Sequence, residues 1–309
     1  MGKAPGIAIE PAALDGLVRA VEAGGGRVVG IEEAEGLVWV NPRDPEGLRQ
    51  LLPGSSVTWV QLPFAGIERF VEAGVIDPHY TWTCAKGIYG HACAEHALAL
   101  MLAAARRIHV HSRSRTWVEP GFGSPERRLK GATVLIVGTG GIGAALVPMI
   151  KPLGVRILAV NRSGRPLEGA ERTEATERIG ELIGETDFVV VTAALTPETR
   201  GMFDKELIGR MKPEAWIVNV ARGGLIDTDA LVAALESGQI GGAALDVTDP
   251  EPLPDDHPLW GVDNAIITPH VANTWDMGLP ELEALVERNV AHFAAGEPLE
   301  GPVDPALGY

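Results

Sequence analysis

A chain of 309 residues, 46% hydrophobic and 22% charged, is long enough for two domains with separate cores. Its formal net charge of -15 disfavours unspecific binding to nucleic acid or anionic lipid and makes small molecules or basic partners the expected ligands. Two cysteines, Cys84 and Cys93, make no disulfide framework, no apolar run is long enough to span a bilayer, and the start MGKAPGIAIE lacks an apolar signal core, so a reduced, cytoplasmic setting without membrane attachment is expected.

The first ninety residues alternate the β-rich runs GIAIE, RVVGIE, VTWVQL and YTWTCA with helical AALDGLVRAVEAG and PEGLRQLL, which predicts a smaller α/β unit. HACAEHALALMLAAARRIHVHSR follows, alanine-rich and uninterrupted by Gly or Pro. It predicts one long helix, whose length beyond a typical globular helix favours an interface between subunits. TWVEPGFGSPERRLKG reads as an exposed loop. From Ala132 onward, TVLIV at 133–137, VRILAV at 155–160, DFVVVT at 187–192, AWIVNV at 215–220, GAALDV at 242–247 and AIIT at 265–268 alternate with amphipathic stretches. This pattern predicts right-handed βαβ units around a buried parallel sheet. Pro148 and Pro152 are expected to kink or shorten the helix after the first of these strands. Asp227 is expected to cap the helix over TDALVAALES, with Gly238 ending it. The final stretch, EALVERNVAHFAAGEPLEGPVD, reads as an amphipathic helix and tail returning to the first unit.

VLIVGTGGIG sets Gly138, Gly140 and Gly143 as GxGxxG between a strand and a helix, the context in which this pattern marks a dinucleotide site. The first glycine serves the tight turn, the second the approach of the pyrophosphate, and the third close helix–strand packing. Some twenty residues on, where an NAD site wants an Asp or Glu for the ribose hydroxyls, the chain has Asn161, Arg162 and Ser163. Loss of the acid removes repulsion of a 2′-phosphate, and Arg162 with Ser163, helped by Arg165, suits that phosphate, so NADP is favoured over NAD. The other reading makes Arg162 a solvated turn residue and leaves NAD as cofactor.

Three segments downstream, VNVARGGL, DVTDPEPLP and TPHVA, carry Arg222, Glu251 and His270. A guanidinium can hold a carboxylate and polarise a carbonyl, an imidazole exchanges a proton near neutral pH, and a carboxylate beside it orients it and keeps it charged. Such a set suits reduction of a 2-oxo acid. The four histidines His91, His96, His109 and His111 have no metal-binding spacing, so no metal is expected.

The glycine loop, TAALTPETRGMF at 192–203, VNVARGGLID, DVTDPEPLPDDHPLW and TPHVA together resemble the D-isomer-specific 2-hydroxyacid dehydrogenase family, over about Ala94 to Ala272. The resemblance implies a Rossmann cofactor domain with a parallel doubly wound sheet, at 93–276, and a smaller flavodoxin-like α/β substrate domain, at 1–92 completed by 277–309. It also implies a homodimer joined partly through the long helix. Arg222 is then carbonyl polariser and substrate-carboxylate ligand, His270 the acid/base, Glu251 its partner and Asp246 a nicotinamide-side contact. The backbone turn Ala65, Gly66, Ile67 resembles the family's carboxylate-binding turn, and Trp275 is expected to line the pocket. The cofactor site is expected to comprise Gly138, Gly140, Gly141, Ile142, Gly143, Asn161, Arg162, Ser163, Ala193, Ala194, Ala221, Asp246 and His270. The implied reaction is reduction of glyoxylate, hydroxypyruvate or a longer 2-oxo acid to the D-2-hydroxy acid, with closure of two domains excluding water. Lys86 and His91 depart from the family pattern and read as solvated surface residues. Two alternatives on the same scaffold remain, a formate or phosphite dehydrogenase and a nucleotide-sensing corepressor.

Overall fold

The computed structural model describes residues 4–117, 119 and 125–305. It divides into two compact units, one of residues 1–89 and 274–309, the other of residues 90–273, with boundaries shortly before those read from the sequence. Residues 118 and 120–124 of the expected exposed loop, and the first three residues of the chain, lie outside the described residues.

The first unit holds the strands β1 (Gly6–Glu10), β2 (Arg27–Val28), β3 (Gly36–Trp39), β4 (Trp59–Gln61) and β5 (Thr81–Thr83). They form a parallel sheet in the order β2-β1-β3-β4-β5, the flavodoxin-like arrangement. RVVGIE pairs only through Arg27 and Val28 before turning into a 3₁₀ turn at Ile31–Glu33, so the expected strand is mostly loop. Central strand β3 was not expected from the sequence. It opens on Gly36, a residue that weakens a strand signal, yet a Cβ there would lie 2.7 Å from the Trp59 ring and 2.8 Å from Ile7. One face of the sheet is covered by helix Asp15–Ala23 and the C-terminal helix Trp275–Ala295, which bury Leu17, Val21, Leu282, Val286 and Val290 against Ile7, Val38 and Trp59. Both chain ends therefore build one core.

The second unit holds β6 (Thr133–Val137), β7 (Arg156–Asn161), β8 (Arg172–Ala175), β9 (Phe188–Val191), β10 (Trp216–Asn219), β11 (Gly242–Leu245) and β12 (Ala265–Ile267). All neighbours pair in parallel, in the order β12-β11-β10-β9-β6-β7-β8. The order reverses between β6 and β9, and in open α/β sheets ligands bind outside the carboxyl ends of the strands at such a point. Edge strand β8, RTEA, escaped the sequence reading because it is polar: Arg172 pairs with Glu174 and Glu181, and Arg178 with the same two carboxylates. Helix Thr228–Glu236 is capped as expected, the Asp227 carboxylate accepting from the Ala230 N–H at 3.0 Å, and Gly238 follows it at φ 68°.

Two helices differ from expectation or refine it. The long alanine-rich stretch is not one helix: it runs from Gly90 to Ala105, breaks at Arg107 in a left-handed conformation (φ 50°), and resumes only for Ile108–His111. No Gly or Pro causes the break. The Ala105 carbonyl instead accepts from the Arg127 N–H at 2.7 Å, and His109 turns inward, edge-on to Trp216. The helix after the glycine loop, Gly141–Ile150, contains Pro148 and passes into a 3₁₀ turn at Lys151–Leu153 that carries Pro152, so the prolines shorten it.

Candidate active site

The glycine loop leaves the carboxyl end of β6 and its three glycines do three different things. Gly138 has φ 102°, and a Cβ there would lie 2.6 Å from the backbone of Ala193 in the loop after β9; Thr192 Oγ1 donates to the Gly138 carbonyl at 2.6 Å. Gly143 packs its helix so closely on the loop that a Cβ would lie 2.2 Å from the Gly138 carbonyl. Gly140, just before Gly141 and Ile142 open the helix, differs: a Cβ there would meet nothing within 4 Å. An open face over a helix N-terminus, floored by tightly packed glycines, fits the pyrophosphate of a dinucleotide. Ala193 and Ala194 continue the loop from β9 beside it, both half-buried or exposed.

At the end of β7, Asn161 is an organiser of its own loop. Its Nδ2 donates to Thr139 Oγ1 at 3.0 Å and to the Arg165 carbonyl at 2.7 Å, and its Oδ1 accepts from the N–H groups of Ser163 and Arg165, both at 3.1 Å. The amide thus ties the turn that presents exposed Arg162 and Ser163 to the middle of the glycine loop.

Arg222 follows β10 half-buried, and its turn is set from below by fully buried Asn219, which accepts from the Ala221 N–H at 3.0 Å and donates to the Arg222 carbonyl at 2.9 Å. Next to it, a Cβ on Gly223 would lie 2.0 Å from the Thr248 carbonyl, so only glycine lets this turn lie against the loop that carries Glu251. In that loop Glu251 Oε1 lies 2.8 Å from His270 Nδ1. The hydrogen bond from His270 holds the Glu251 carboxyl below its ordinary value against partial burial, and the positive charges of His270 and Arg222 act in the same direction. The three residues that stand apart in the sequence therefore meet at the carboxyl ends of β10, β11 and β12.

His270 sits at φ 54°, an uncommon conformation for a residue with a side chain. Asp246, 1% exposed at the end of β11, holds it there. Its Oδ1 accepts from Thr268 Oγ1 at 2.6 Å and from the Val271 N–H at 2.9 Å, its Oδ2 from the Ala272 N–H at 2.9 Å, and its carbonyl from the His270 N–H at 2.8 Å. Burial alone would raise this carboxyl, but hydrogen bonds from His96, Thr268, Val271 and Ala272 outweigh it and hold it at about 2. Expected as a nicotinamide-side contact, Asp246 shows an inward role, that of fixing the 268–272 loop.

The sequence reading missed what helix Gly90–Ala105 contributes. His96 Nε2 lies 3.0 Å from Thr268 Oγ1 and 3.3 Å from Asp246 Oδ1, and Cys93, one turn earlier, feels the charges of both Asp246 and Arg222 while burial pushes its thiol up to about 11. No local spacing signals either residue, because their partners are far along the chain. Ala65, Gly66, Ile67 and Trp275 belong to the first unit. The Ala65–Ile67 turn follows β4, with Phe64 beside it stacked edge-on to Trp275 (5.8 Å between ring centroids).

Comparison with known proteins adds an independent line. Residues 98–272 match the model of the D-isomer specific 2-hydroxyacid dehydrogenase, NAD binding domain. Over 297 residues, 94% of this chain and 95% of the other, the protein is 43% identical to an uncharacterized protein in the proB 3′ region of Corynebacterium melassecola. It is 37% identical over 222 residues to the glyoxylate reductase/hydroxypyruvate reductase of Mus musculus, a match to 68% of this chain and 66% of the mouse enzyme. Among solved structures, the D-isomer specific 2-hydroxyacid dehydrogenase of Xanthobacter autotrophicus Py2, in complex with NADPH and MES, superposes with a TM-score of 0.85 at 28% identity, covering 99% of this chain and all of that one. The NADPH-dependent glyoxylate/hydroxypyruvate reductase of Sinorhizobium meliloti, in complex with NADP and sulfate, gives 0.81 at 25% identity, over 99% of this chain and all of that one. With a family model spanning more than half the chain and the glycine loop, arginine turn and Glu–His pair in place, the protein belongs to the D-isomer-specific 2-hydroxyacid dehydrogenase family.

Proposed function

We propose that the protein reduces 2-oxo acids of the glyoxylate and hydroxypyruvate class to D-2-hydroxy acids, reversibly and with a preference for NADP over NAD. The observation that carries this reading is the pair His270 Nδ1–Glu251 Oε1 at 2.8 Å, on a loop against which the Arg222 turn is packed. With Nδ1 engaged by the carboxylate, Nε2 is the ring atom left to give a proton to a nascent alkoxide. Arg222, half-buried at a strand terminus, supplies a planar fork that holds the substrate carboxylate and stabilises negative charge on the carbonyl oxygen. A bound reduced nicotinamide supplies the hydride. Proton delivery to oxygen is needed for a 2-oxo acid and has no counterpart in formate oxidation, so the Glu–His pair favours the hydroxyacid chemistry over a formate dehydrogenase.

The NADP preference rests on the Asn161 turn, which presents Arg162 and Ser163 where a 2′-phosphate would need a cation and a hydroxyl, with an amide in place of the ribose-binding acid. The dinucleotide ligands would be Gly140 and its flanking residues together with this turn. A homodimer is part of the same proposal: helix Gly90–Ala105 spends Ala94, Ala97, Met101 and Ala104 on its own unit and leaves Leu102, 38% exposed, and nearby Ile108, 53% exposed, for a second copy. The test is a panel of 2-oxo acids assayed with NADPH and with NADH through the loss of reduced-nicotinamide absorbance. Binding of either nucleotide without turnover of any 2-oxo acid would replace this reading with that of a nucleotide-sensing protein.

A further inference from the structure

We infer that His96 is a positioning residue for the proton-transfer histidine, acting through Thr268 and Asp246; the inference rests on the reading of His270 as proton donor. The His96 side chain, 21% exposed, projects from helix Gly90–Ala105 to bring Nε2 within 3.0 Å of Thr268 Oγ1 and 3.3 Å of Asp246 Oδ1. The direction of these contacts follows from chemistry. The Thr268 hydroxyl spends its proton on Asp246 at 2.6 Å, and a carboxylate held at about 2 is acceptor only, so both atoms facing Nε2 accept and Nε2 must carry the hydrogen. His96 thus reaches this carboxylate–hydroxyl pair from outside the 246–272 stretch.

What the bond secures is a strained loop. His270 at φ 54° is two residues from Thr268 and is followed directly by Val271 and Ala272, whose N–H groups the Asp246 carboxylate accepts. Asp246 is nearly fully buried, so its orientation depends on the donors around it, and removing one leaves a buried charge free to turn toward the others. The helix is a firm base from which to supply that donor: Ala94 and Ala97 on either side of His96 are fully buried in the core that holds Leu146 and Ile150. A His96 that fixes Asp246 and Thr268 therefore fixes the angle at which the His270 ring meets Glu251 and substrate. A displacement of about 1 Å at such a site costs roughly a hundredfold in rate.

Two variants separate the donor from the ring. His96→Phe keeps a planar ring and loses the hydrogen-bond donor; His96→Gln keeps a donor and loses the ring. In NADPH-dependent reduction of glyoxylate by the full chain, kcat should fall roughly tenfold to a hundredfold in His96→Phe, with NADPH affinity within about twofold of wild type, and His96→Gln should recover most of it. Side-chain histidine NMR reads the same claim without turnover: the His270 ring signals, assigned by their loss in His270→Ala, should move in His96→Phe and return toward wild type in His96→Gln. If wild type reduces no 2-oxo acid while these signals still move, the functional reading fails and the positioning role stands. If His96→Phe keeps kcat and leaves the His270 signals in place, or His96→Gln is no better than His96→Phe in both measurements, the inference is overturned. Should His96→Phe not fold, isosteric Thr268→Val cuts the same link, and an unchanged kcat and His270 signal there overturns it equally.

Discussion

At the scale of single residues, the site's chemistry hangs on what each polar group is already bonded to. His270 Nδ1 faces Glu251 and the carboxyl of Glu251 lies below its ordinary value, so the carboxylate stays ionised through the neutral range and remains an acceptor for the ring. Reduction should therefore hold its rate as pH falls until the Glu251 carboxyl takes up a proton, below the ordinary carboxylate range, and Glu251→Gln, which cannot titrate, should lose that acid limb from a kcat–pH profile along with most of kcat. An unmoved limb would detach Glu251 from the proton step. Arg222→Lys should lose most of kcat/KM for 2-oxo acids while cofactor affinity holds, since a point charge lacks the two-pronged fork; equal loss of NADPH affinity, read by fluorescence titration, would place Arg222 at the nucleotide instead. For the cofactor, Arg162→Ala should lower NADPH affinity by roughly tenfold to a hundredfold, the value of about 1.5–3 kcal/mol for one charge-assisted bond, and leave NADH almost untouched. Asn161→Asp should weaken both cofactors together, because an aspartate has no N–H for Thr139 or for the Arg165 carbonyl. That last expectation comes from the structure alone. Motif spacing made Arg222, Glu251 and His270 readable, and the missing ribose acid drew notice to position 161. It could not show that Asn161 is spent on its own loop, nor that His96 serves a threonine 172 residues away.

At the scale of elements, strands with dense apolar runs were readable and those shaped by their neighbours were not. The six runs of the second unit become β6, β7, β9, β10, β11 and β12 within a residue or two, because a buried parallel strand must be apolar on both faces. β3 and β8 show the limit: one opens on a glycine demanded by Trp59 and Ile7, the other is an edge whose polar side chains pair with arginines. The break after Ala105 depends on a hydrogen bond from Arg127, which no helix propensity encodes. Burial also explains a polar element in the first unit. Asn289, fully buried on the C-terminal helix, donates to Gln61 Oε1 at 2.9 Å and to the Glu300 carbonyl at 3.0 Å, and accepts from the Glu300 N–H at 2.7 Å. It joins helix, sheet and tail, whose next residues extend along β5 through bonds from Cys84 to Gly301 and from Val303 to Trp82. Asn289→Leu should cost about 2–4 kcal/mol by leaving these buried partners unpaired, seen as a lower urea midpoint. A loss under about 0.5 kcal/mol would mean that the tail finds its place without the amide.

At the scale of the whole molecule, charge and the exposed apolar face pull in opposite directions. A protomer of formal charge -15 repels a second copy, so association must come from local burial and must be opposed by a long-range field that salt screens within about 10 Å at 0.1 M. Leu102 and Ile108 are the large apolar side chains left exposed along and just beyond helix Gly90–Ala105, while Ala94, Ala97, Leu100, Met101, Ala104 and Ala105 are buried in the core of their own unit. Burying a fully exposed side chain of this size is worth about 1.5–3 kcal/mol; Leu102 and Ile108, already partly covered, would gain roughly half of that, and a twofold-symmetric contact counts it in both copies. A charge placed there would have to be buried without a partner in either copy, at a cost well above the gain it removes. Light scattering at micromolar concentration should therefore give twice the 32.7 kDa of one chain, with the dimer held more firmly at moderate than at very low ionic strength. Ile108→Asp together with Leu102→Asp should yield a monomer that keeps its thermal unfolding midpoint within a few degrees when measured far below the wild-type dissociation constant, since neither side chain is buried within the protomer. A wild-type monomer at all ionic strengths, or a double variant that remains dimeric, would place any subunit contact on another face.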